Sequence, residues 1–390
     1  MTPYPRRMVA LAGLARLCEP PVPGLLGEFV ASLGAEDAWA VIARRQAPRE
    51  ILRVVEPRLR GDAAELEACA RDDLRRAAAV GADILGPGDD DWPEESFAPL
   101  QWVAPYEQCG HAWSPLALYR RGGHVPVRPS GSVAIVGSRA STPYGERLAG
   151  ELAADAVDSG CTVVSGAAFG IDASAHRGAL HADPHSPGSR AATVAVLACG
   201  IDRAYPVAHR ALIDAIGVEG AVVSEYPPGC VPARYRFLVR NRLIAALAEA
   251  TVVVEAGRRS GSLNTATTAA NLGRTVAAVP GPVTSAMSTG CHDLIRDGKA
   301  ALATSWADVR SLLGPLTPAA NPHRAARDAL DGLDLVASRV HEALPARGGA
   351  LVETIAVEAA LPVADVIGAL AVLHTDGLAR RRDGLWWRTV

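Results

Sequence analysis

Short, almost wholly apolar runs separated by amphipathic stretches dominate the middle of the chain. Val133–Val136, Thr162–Ser165, Thr193–Leu197, Ala221–Ser224, Thr251–Glu255 and Thr275–Val279 are apolar and rich in β-branched residues. A strand with one solvated face would alternate apolar and polar positions. These do not, so the pattern predicts parallel strands covered on both faces. Between them, Tyr144–Ser159, Ala208–Ile216, Leu238–Ala248 and Thr265–Leu272 carry helical spacing. The alternation predicts an α/β unit over residues 132–313, a Rossmann-like, doubly wound, mostly parallel sheet.

The flanks are patterned differently. Residues 1–90 are rich in Ala, Leu, Arg and Glu, with helical spacing in Met8–Leu17, Leu25–Leu33 and Ala63–Val80. Pro20, Pro21, Pro23 and Gly24 break the first two apart, and the whole predicts an N-terminal helical, SAM-like domain. Residues 91–131 are punctuated by Pro and Gly and read as a linker or pre-Rossmann segment with short strands such as Leu116–Tyr119. It follows an acidic turn, GPGDDDWP, at Gly86–Pro93. A Pro/Ala-rich linker covers 314–327, and His181–Arg190 reads as a polar loop between sheet elements. In residues 328–390, Leu333–Leu344, Leu351–Ala359 and Pro362–Thr375 predict helices, and Leu378–Arg382 and Leu385–Arg388 flank an Asp383–Gly384 hairpin turn. That order predicts a C-terminal winged helix.

Composition narrows the class. Of 390 residues, 49% are hydrophobic and 21% charged, as in a globular chain. No apolar run reaches the roughly 18–20 residues of a membrane span. Met1–Gly13 is too quickly polar for a secretory signal, which predicts a cytoplasmic address. The seven cysteines form no C-x-x-C pair, and neither Cys109/His111 nor Cys291/His292 has a second pair at zinc spacing, so no metal is expected. The formal charge is −3 and Lys299 is the only lysine, so any nucleic-acid site must be a local arginine patch.

Candidate chemistry sits where strands hand over to helices. Gly137-Ser138-Arg139 precedes a helix begun near Thr142 or Pro143, where amides, helix dipole and guanidinium suit a phosphate. The same three residues also read as a plain tight turn. Ser165-Gly166, running on to Asp172, lets backbone approach a ligand, and Asp172 and His176 lie four apart on one helix face. A cap with a satisfied histidine explains that pair as well as acid–base chemistry does. Arg234, Tyr235, Arg236, Phe237, Arg240, Asn241 and Arg242 interleave four cations with two aromatics, which suits single-stranded nucleic acid, or a helix start with its rings in the core. Ser260, Gly261, Ser262 and Thr265, near Arg258 and Arg259, offer amides and hydroxyls to an anion at another strand end. These loops share the edge where open α/β sheets bind ligands. There is no P-loop, no dinucleotide G-x-G-x-x-G with its acidic partner, no two-metal carboxylate pair and no nucleophile elbow.

VAIVGSR (Val133–Arg139), SGAAFGID (Ser165–Asp172) with His176, FLVRNRLIAALA (Phe237–Ala248), VVVEAGRRSGSLNTA (Val252–Ala266) and AVPGPVTSAMSTGCHDLIRDG (Ala278–Gly298) resemble the DprA/Smf family in order and spacing. The resemblance covers roughly residues 132–312, with weaker likeness in the GDDDWP segment and the C-terminal domain. It implies a protein without catalytic residues or cofactor that binds single-stranded DNA cooperatively, protects it, dimerises, and loads RecA recombinase during natural transformation. It further implies that Arg139 holds a phosphate, that Phe237 stacks on a base, and that Arg240 and Arg242 shape the same basic rim. Arg234 stands where the family usually has a lysine or similar cation. Two positions depart from the pattern: Leu238 replaces the proline after the aromatic, and Val207 replaces the lysine after Tyr-Pro, leaving Arg210 as the nearest cation.

Two other readings use the same rim. A nucleoside-monophosphate phosphoribohydrolase would need a carboxylate near the sugar, from Glu255 or Asp172, and a nucleotide sensor would need only the phosphate loops. In the C-terminal domain, Pro362–Thr375 carries no arginine, so base readout by that helix is not expected. Arg380, Arg381 and Arg382 on the wing could reach a phosphate or be a solvated edge.

Overall fold

Each apolar run of the middle region forms a strand, and two further strands come from the segment ahead of it. The structure, a computed structural model, describes residues 4–102, 114–182, 192–313, 333–345, 349–375, 378–382 and 384–389. Strands β1 (Ala82–Leu85) and β2 (Leu118–Gly122) precede β3 (Ser132–Val136), β4 (Thr162–Ser165), β5 (Thr193–Leu197), β6 (Ala221–Ser224), β7 (Ala250–Val253), β8 (Thr275–Ala278) and β9 (Ala301–Leu302). They make one sheet in the order β1-β2-β6-β5-β4-β3-β7-β8-β9. From β3 to β9 neighbours run parallel, and β2 joins antiparallel to both β1 and β6.

The strands are buried on both faces, as their sequence requires. Ala134, Val136, Val164 and Val196 pack on one side with Leu243, Ile244 and Leu247 of helix Arg234–Leu247. Val133, Ile135, Val163 and Val252 pack on the other with Ala149, Leu152 and Ala156 of helix Pro143–Asp158. Successive side chains of one strand thus serve opposite cores. From β3 the chain adds β4, β5 and β6 outward on one side, then returns to add β7, β8 and β9 on the other. The C-terminal ends of β3 and β7 therefore flank a topological switch point, where such sheets open a crevice.

Residues 1–314 form one compact unit. The expected helices appear at Arg6–Leu17, Gly24–Leu33 and Ala63–Ala79, the last begun by an Asp62/Glu65 capping box. Two shorter helices, Ala35–Ala43 and Arg49–Val55, lay below the threshold of the sequence pattern. The segment read as a linker is part of the sheet. Tyr119 pairs with Ile84 on one side and Ser224 on the other, and it is wholly buried. Residues 103–113, most of the His181–Arg190 loop and the 314–327 linker lie outside the described residues.

The second unit, residues 315–390, contains helices Leu335–Ala343, Val352–Ala359 and Val363–Thr375 and an antiparallel hairpin of β10 (Ala379–Arg382) and β11 (Leu385–Arg388). Val340, Ile355, Val366, Leu370, Leu373 and Trp386 form its core. The element order is the one from which a winged helix was expected. The turn residue Asp383 lies outside the described residues. Among the described residues no single helix is long and apolar enough to cross a membrane.

Candidate functional site

The switch point opens into a cleft of about 890 Å³. One wall is the turn after β3. Gly137 keeps it tight, since a Cβ there would run into the Ile171 side chain and the Glu255 carbonyl oxygen. Ser138 N donates to the Glu255 carbonyl at 2.7 Å, and the Ser138 carbonyl accepts from Ile171 N at 3.2 Å. The locked turn presents Arg139, exposed, with its guanidinium 4.6 Å above the Phe237 ring. A second wall follows β7, where Arg259, Ser260, Gly261, Ser262, Asn264 and Thr265 line the cleft at the start of helix Ser262–Asn271. The positive end of that helix dipole favours an anion there.

Helix Arg234–Leu247 makes the third wall. Arg234, Phe237, Leu238 and Asn241 line the cleft at the i, i+3, i+4, i+7 spacing of one helix face, and Arg240 and Ile244 line it from the adjoining stripe. Arg240 is 3% exposed. Its Nη1 donates to the Gly166 carbonyl at 2.8 Å and to the Val196 carbonyl, and its Nε reaches Asn241 Oδ1 at 3.3 Å. A side chain at position 166 would occupy the space of that guanidinium. Burial pulls the Arg240 pKa down against the attraction of Asp172. Burial likewise pushes the Asp172 carboxyl up, against the pull of Arg240 and Arg139 and the Ala168 amide. Among the described residues, no carboxylate lies within ion-pair distance of Arg139, Arg234, Arg240 or Arg259, so their field reaches the cleft unneutralised by a direct partner.

Eleven of the fourteen residues expected to bind DNA or phosphate line this cleft together: Gly137, Ser138, Arg139, Arg234, Phe237, Arg240, Asn241, Ser260, Gly261, Ser262 and Thr265. Ser165 and Gly166 stand behind it. The Ser165 hydroxyl donates to the Ile135 carbonyl at 2.7 Å, and Gly166 acts through the carbonyl that holds Arg240. Arg242 departs from the expectation that it shapes the same rim. It lies about 200° around the helix from Arg240 and is buried against Glu225, with Nη2 at 2.6 and 2.8 Å from the two carboxylate oxygens. Burial pushes the Glu225 carboxyl up in spite of that partner.

The helix start after Gly-Ser-Arg also differs from expectation. Thr142 N and Oγ1 donate to the Glu255 carboxylate at 2.8 and 2.6 Å, so a protein carboxylate takes the anion position at the start of helix Pro143–Asp158. Asp172 does not cap its helix, whose N-cap is Gly170, but accepts from Ala168 N at 3.4 Å. His176 is wholly buried, with Nδ1 2.7 Å from Thr193 Oγ1, and the Thr193 hydroxyl itself donates to the Val163 carbonyl. Burial drives the His176 pKa down to about 3. Missing from the expected set were Tyr205, whose ring centroid lies 5.4 Å from that of Phe237, Asn264, and Met287, whose Sδ accepts from Ser138 Oγ at 3.5 Å. Tyr205 follows β5 with no spacing that ties it to Phe237; Met287 arrives from a loop beyond β8.

The DNA recombination-mediator protein A family model matches residues 83–314. A Mycobacterium tuberculosis (strain H37Rv) protein named for DNA processing, DprA, is 44% identical over 382 residues, covering 97% of this chain and 93% of the relative. The DNA processing protein DprA of Streptococcus pneumoniae (strain R6) is 38% identical over 214 residues, 55% of this chain and 72% of the relative. An X-ray structure of Streptococcus pneumoniae DprA is similar with a TM-score of 0.59 at 30% identity, covering 79% of this chain and 98% of that one.

Proposed function

The chain belongs to the DNA recombination-mediator protein A family, and from that premise we propose that it binds single-stranded DNA in the strand-end cleft without catalysing a reaction on it. In this reading a cytoplasmic homodimer protects incoming strands and loads RecA recombinase onto them during transformation and recombination. One observation carries the assignment of the cleft. Arg139 sits 4.6 Å over the Phe237 ring at the mouth of a cleft whose other arginines, Arg234, Arg240 and Arg259, have no carboxylate at ion-pair distance among the described residues. Cations meet phosphates, and a half-buried ring beside them offers a face to a base. Stacking and phosphate contact together tolerate any sequence and weaken with salt.

A nucleotide-cleaving enzyme on the same fold draws less support. Its carboxylate would be Glu255, which the two Thr142 donors already hold outside the cleft lining, or Asp172, whose ionised form burial disfavours. Fluorescence anisotropy with labelled single and double strands of several lengths, over a salt series, tests the assignment. Wild type binds single strands in a length- and salt-dependent way, and Arg139→Ala and Phe237→Ala each weaken that binding without unfolding the chain. Unchanged binding in both variants removes the cleft from the account. RecA filament nucleation on coated strands, with and without the chain, tests the loading step.

A further inference from the structure

A second cavity, of about 440 Å³, opens where the N-terminal helices meet the loop after β6. Arg16, Arg58, Arg60, Arg76 and Arg236 line it, against Glu19 as the single lining carboxylate among the described residues. In a chain of formal charge −3 this is a local excess of cation. Part of it belongs to the fold. Arg16 pairs with the buried Asp73 and donates to the Pro228 carbonyl at 3.1 Å. Glu19 accepts from Arg236 at 2.7 and 3.1 Å, from Arg58 at 2.5 Å and from the Tyr235 hydroxyl at 2.8 Å. One carboxylate therefore serves two guanidinium groups and leaves a positive charge over. Arg60 is exposed and has no ion pair among the described residues, and Arg76 is 55% exposed, with a partner, Asp72, that it shares with Arg75.

This cavity adjoins the first. Arg234 and Phe237 line the strand-end cleft, while Arg236, on the same helix turn, lines the second cavity. The loop between them does the same, with Pro227–Cys230 on one side and Pro232 and Ala233 on the other. Arginine and proline predominate in the second lining, and Tyr226, its one aromatic ring among the described residues, is 1% exposed. Such a surface suits phosphates and has no free face for a base.

We propose that the second cavity is a phosphate-binding site that takes the sugar–phosphate continuation of a single strand whose bases are held in the strand-end cleft. The proposal rests on the DNA-binding reading of that cleft. Its test uses the full chain and the double variant Arg60→Glu/Arg76→Glu, which leaves the Glu19 and Asp73 pairs intact; an unchanged thermal melt checks the fold. The probes are a length ladder of labelled oligothymidylates and, as the source of free phosphate, thymidine triphosphate. Wild-type affinity is expected to keep rising with length beyond the strand that fills the first cleft. The variant should match wild type on the shortest strands and fall behind on longer ones by about tenfold, with a salt slope shallower by about 1.4 for two lost phosphate contacts. Equal loss at every length, or no loss at any, overturns the proposal. Loss of triphosphate binding with no effect on strands would assign the cavity to a free nucleotide instead, and overturns it too. Arg139→Ala, run beside it, separates the two failures: if it weakens all lengths while the double variant does nothing, the cleft stands and the second site falls. If wild type binds no strand, both fall.

Discussion

Arg240 and Arg242 stand two positions apart in one helix and are both 3% exposed, yet their surroundings are opposite. Arg240 faces the cleft, held by the Gly166 and Val196 carbonyls, which accept its hydrogen bonds without cancelling its charge. Arg242 faces away and is clamped by the Glu225 carboxylate. The difference separates two uses of a buried cation. Paired with a carboxylate, it fixes one element against another. Hydrogen-bonded to carbonyls, with Asp172 attracting it from beyond ion-pair distance, it keeps a field that a phosphate can feel. The same division appears elsewhere, with Glu255 and Glu19 tying elements together while Arg139, Arg234 and Arg259 around the cleft have no ion-paired carboxylate among the described residues.

The largest effect is expected from Arg242→Ala. It leaves Glu225 buried without its partner, and the expected loss is about 3–5 kcal/mol of stability in denaturant unfolding. A variant as stable as wild type would show that the pair is not structural. His176 belongs with the structural side and sharpens it through pH. Its folded pKa of about 3 lies below the ordinary value of 6.5, so its contribution is fully present above pH 6.5 and is lost as pH falls from there toward 3. The loss amounts to a few kcal/mol on an order-of-magnitude basis. Urea midpoints across that range should drop for wild type and drop less for His176→Gln. A parallel pH profile in both would remove the histidine from the account.

On the cleft side, effects should appear in binding instead of stability. Phe237→Ala is expected to cost about 1–3 kcal/mol of single-strand affinity, the worth of one stacked base. Arg139→Ala should cost a similar amount, about 1.5–3 kcal/mol for a charged contact, and should flatten the salt dependence. Melting temperatures that fall along with affinity would show that these residues also hold the fold. The smallest effect is expected from Arg380→Ala/Arg381→Ala. Arg381 already lies 5.6 Å over the Trp386 ring, and helix Val363–Thr375 exposes Val363, Ile367 and Val372 where a DNA reader would carry cations. Single-strand affinity should change by less than about twofold, in line with an exposed charge at the edge of a site.

The sheet was legible because its parallel strands are mostly apolar and buried on both faces, and Val133–Val136 could hardly face water on either side. Strand β2 was legible only as a short strand at Leu116–Tyr119. Its sequence, LYRRG, is half polar, and only pairing with both β1 and β6 gives it a place inside the sheet. The loops at Gly137–Arg139 and Ser260–Thr265 were legible through the rule that open sheets bind at strand ends, whereas Phe237, inside helix Arg234–Leu247, was tied to them only by the likeness to the DprA/Smf family. The pairings were not legible. Whether Arg240 or Arg242 meets a carboxylate depends on where Glu225, more than a dozen residues upstream, comes to rest. Tyr205 joined the site for the same reason, as a tertiary neighbour of Phe237 without a sequence period to announce it.

Photocrosslinking would show whether a single strand lies in the cleft beside Phe237. An oligonucleotide carrying 5-iodouracil would be irradiated on the full chain and the adducts mapped by peptide mass spectrometry. Adducts are expected at Phe237 or Tyr205 and should disappear on competition with unlabelled single strand. Adducts confined to residues 333–389, or spread over surfaces away from the strand ends of β3 and β7, would contradict that placement.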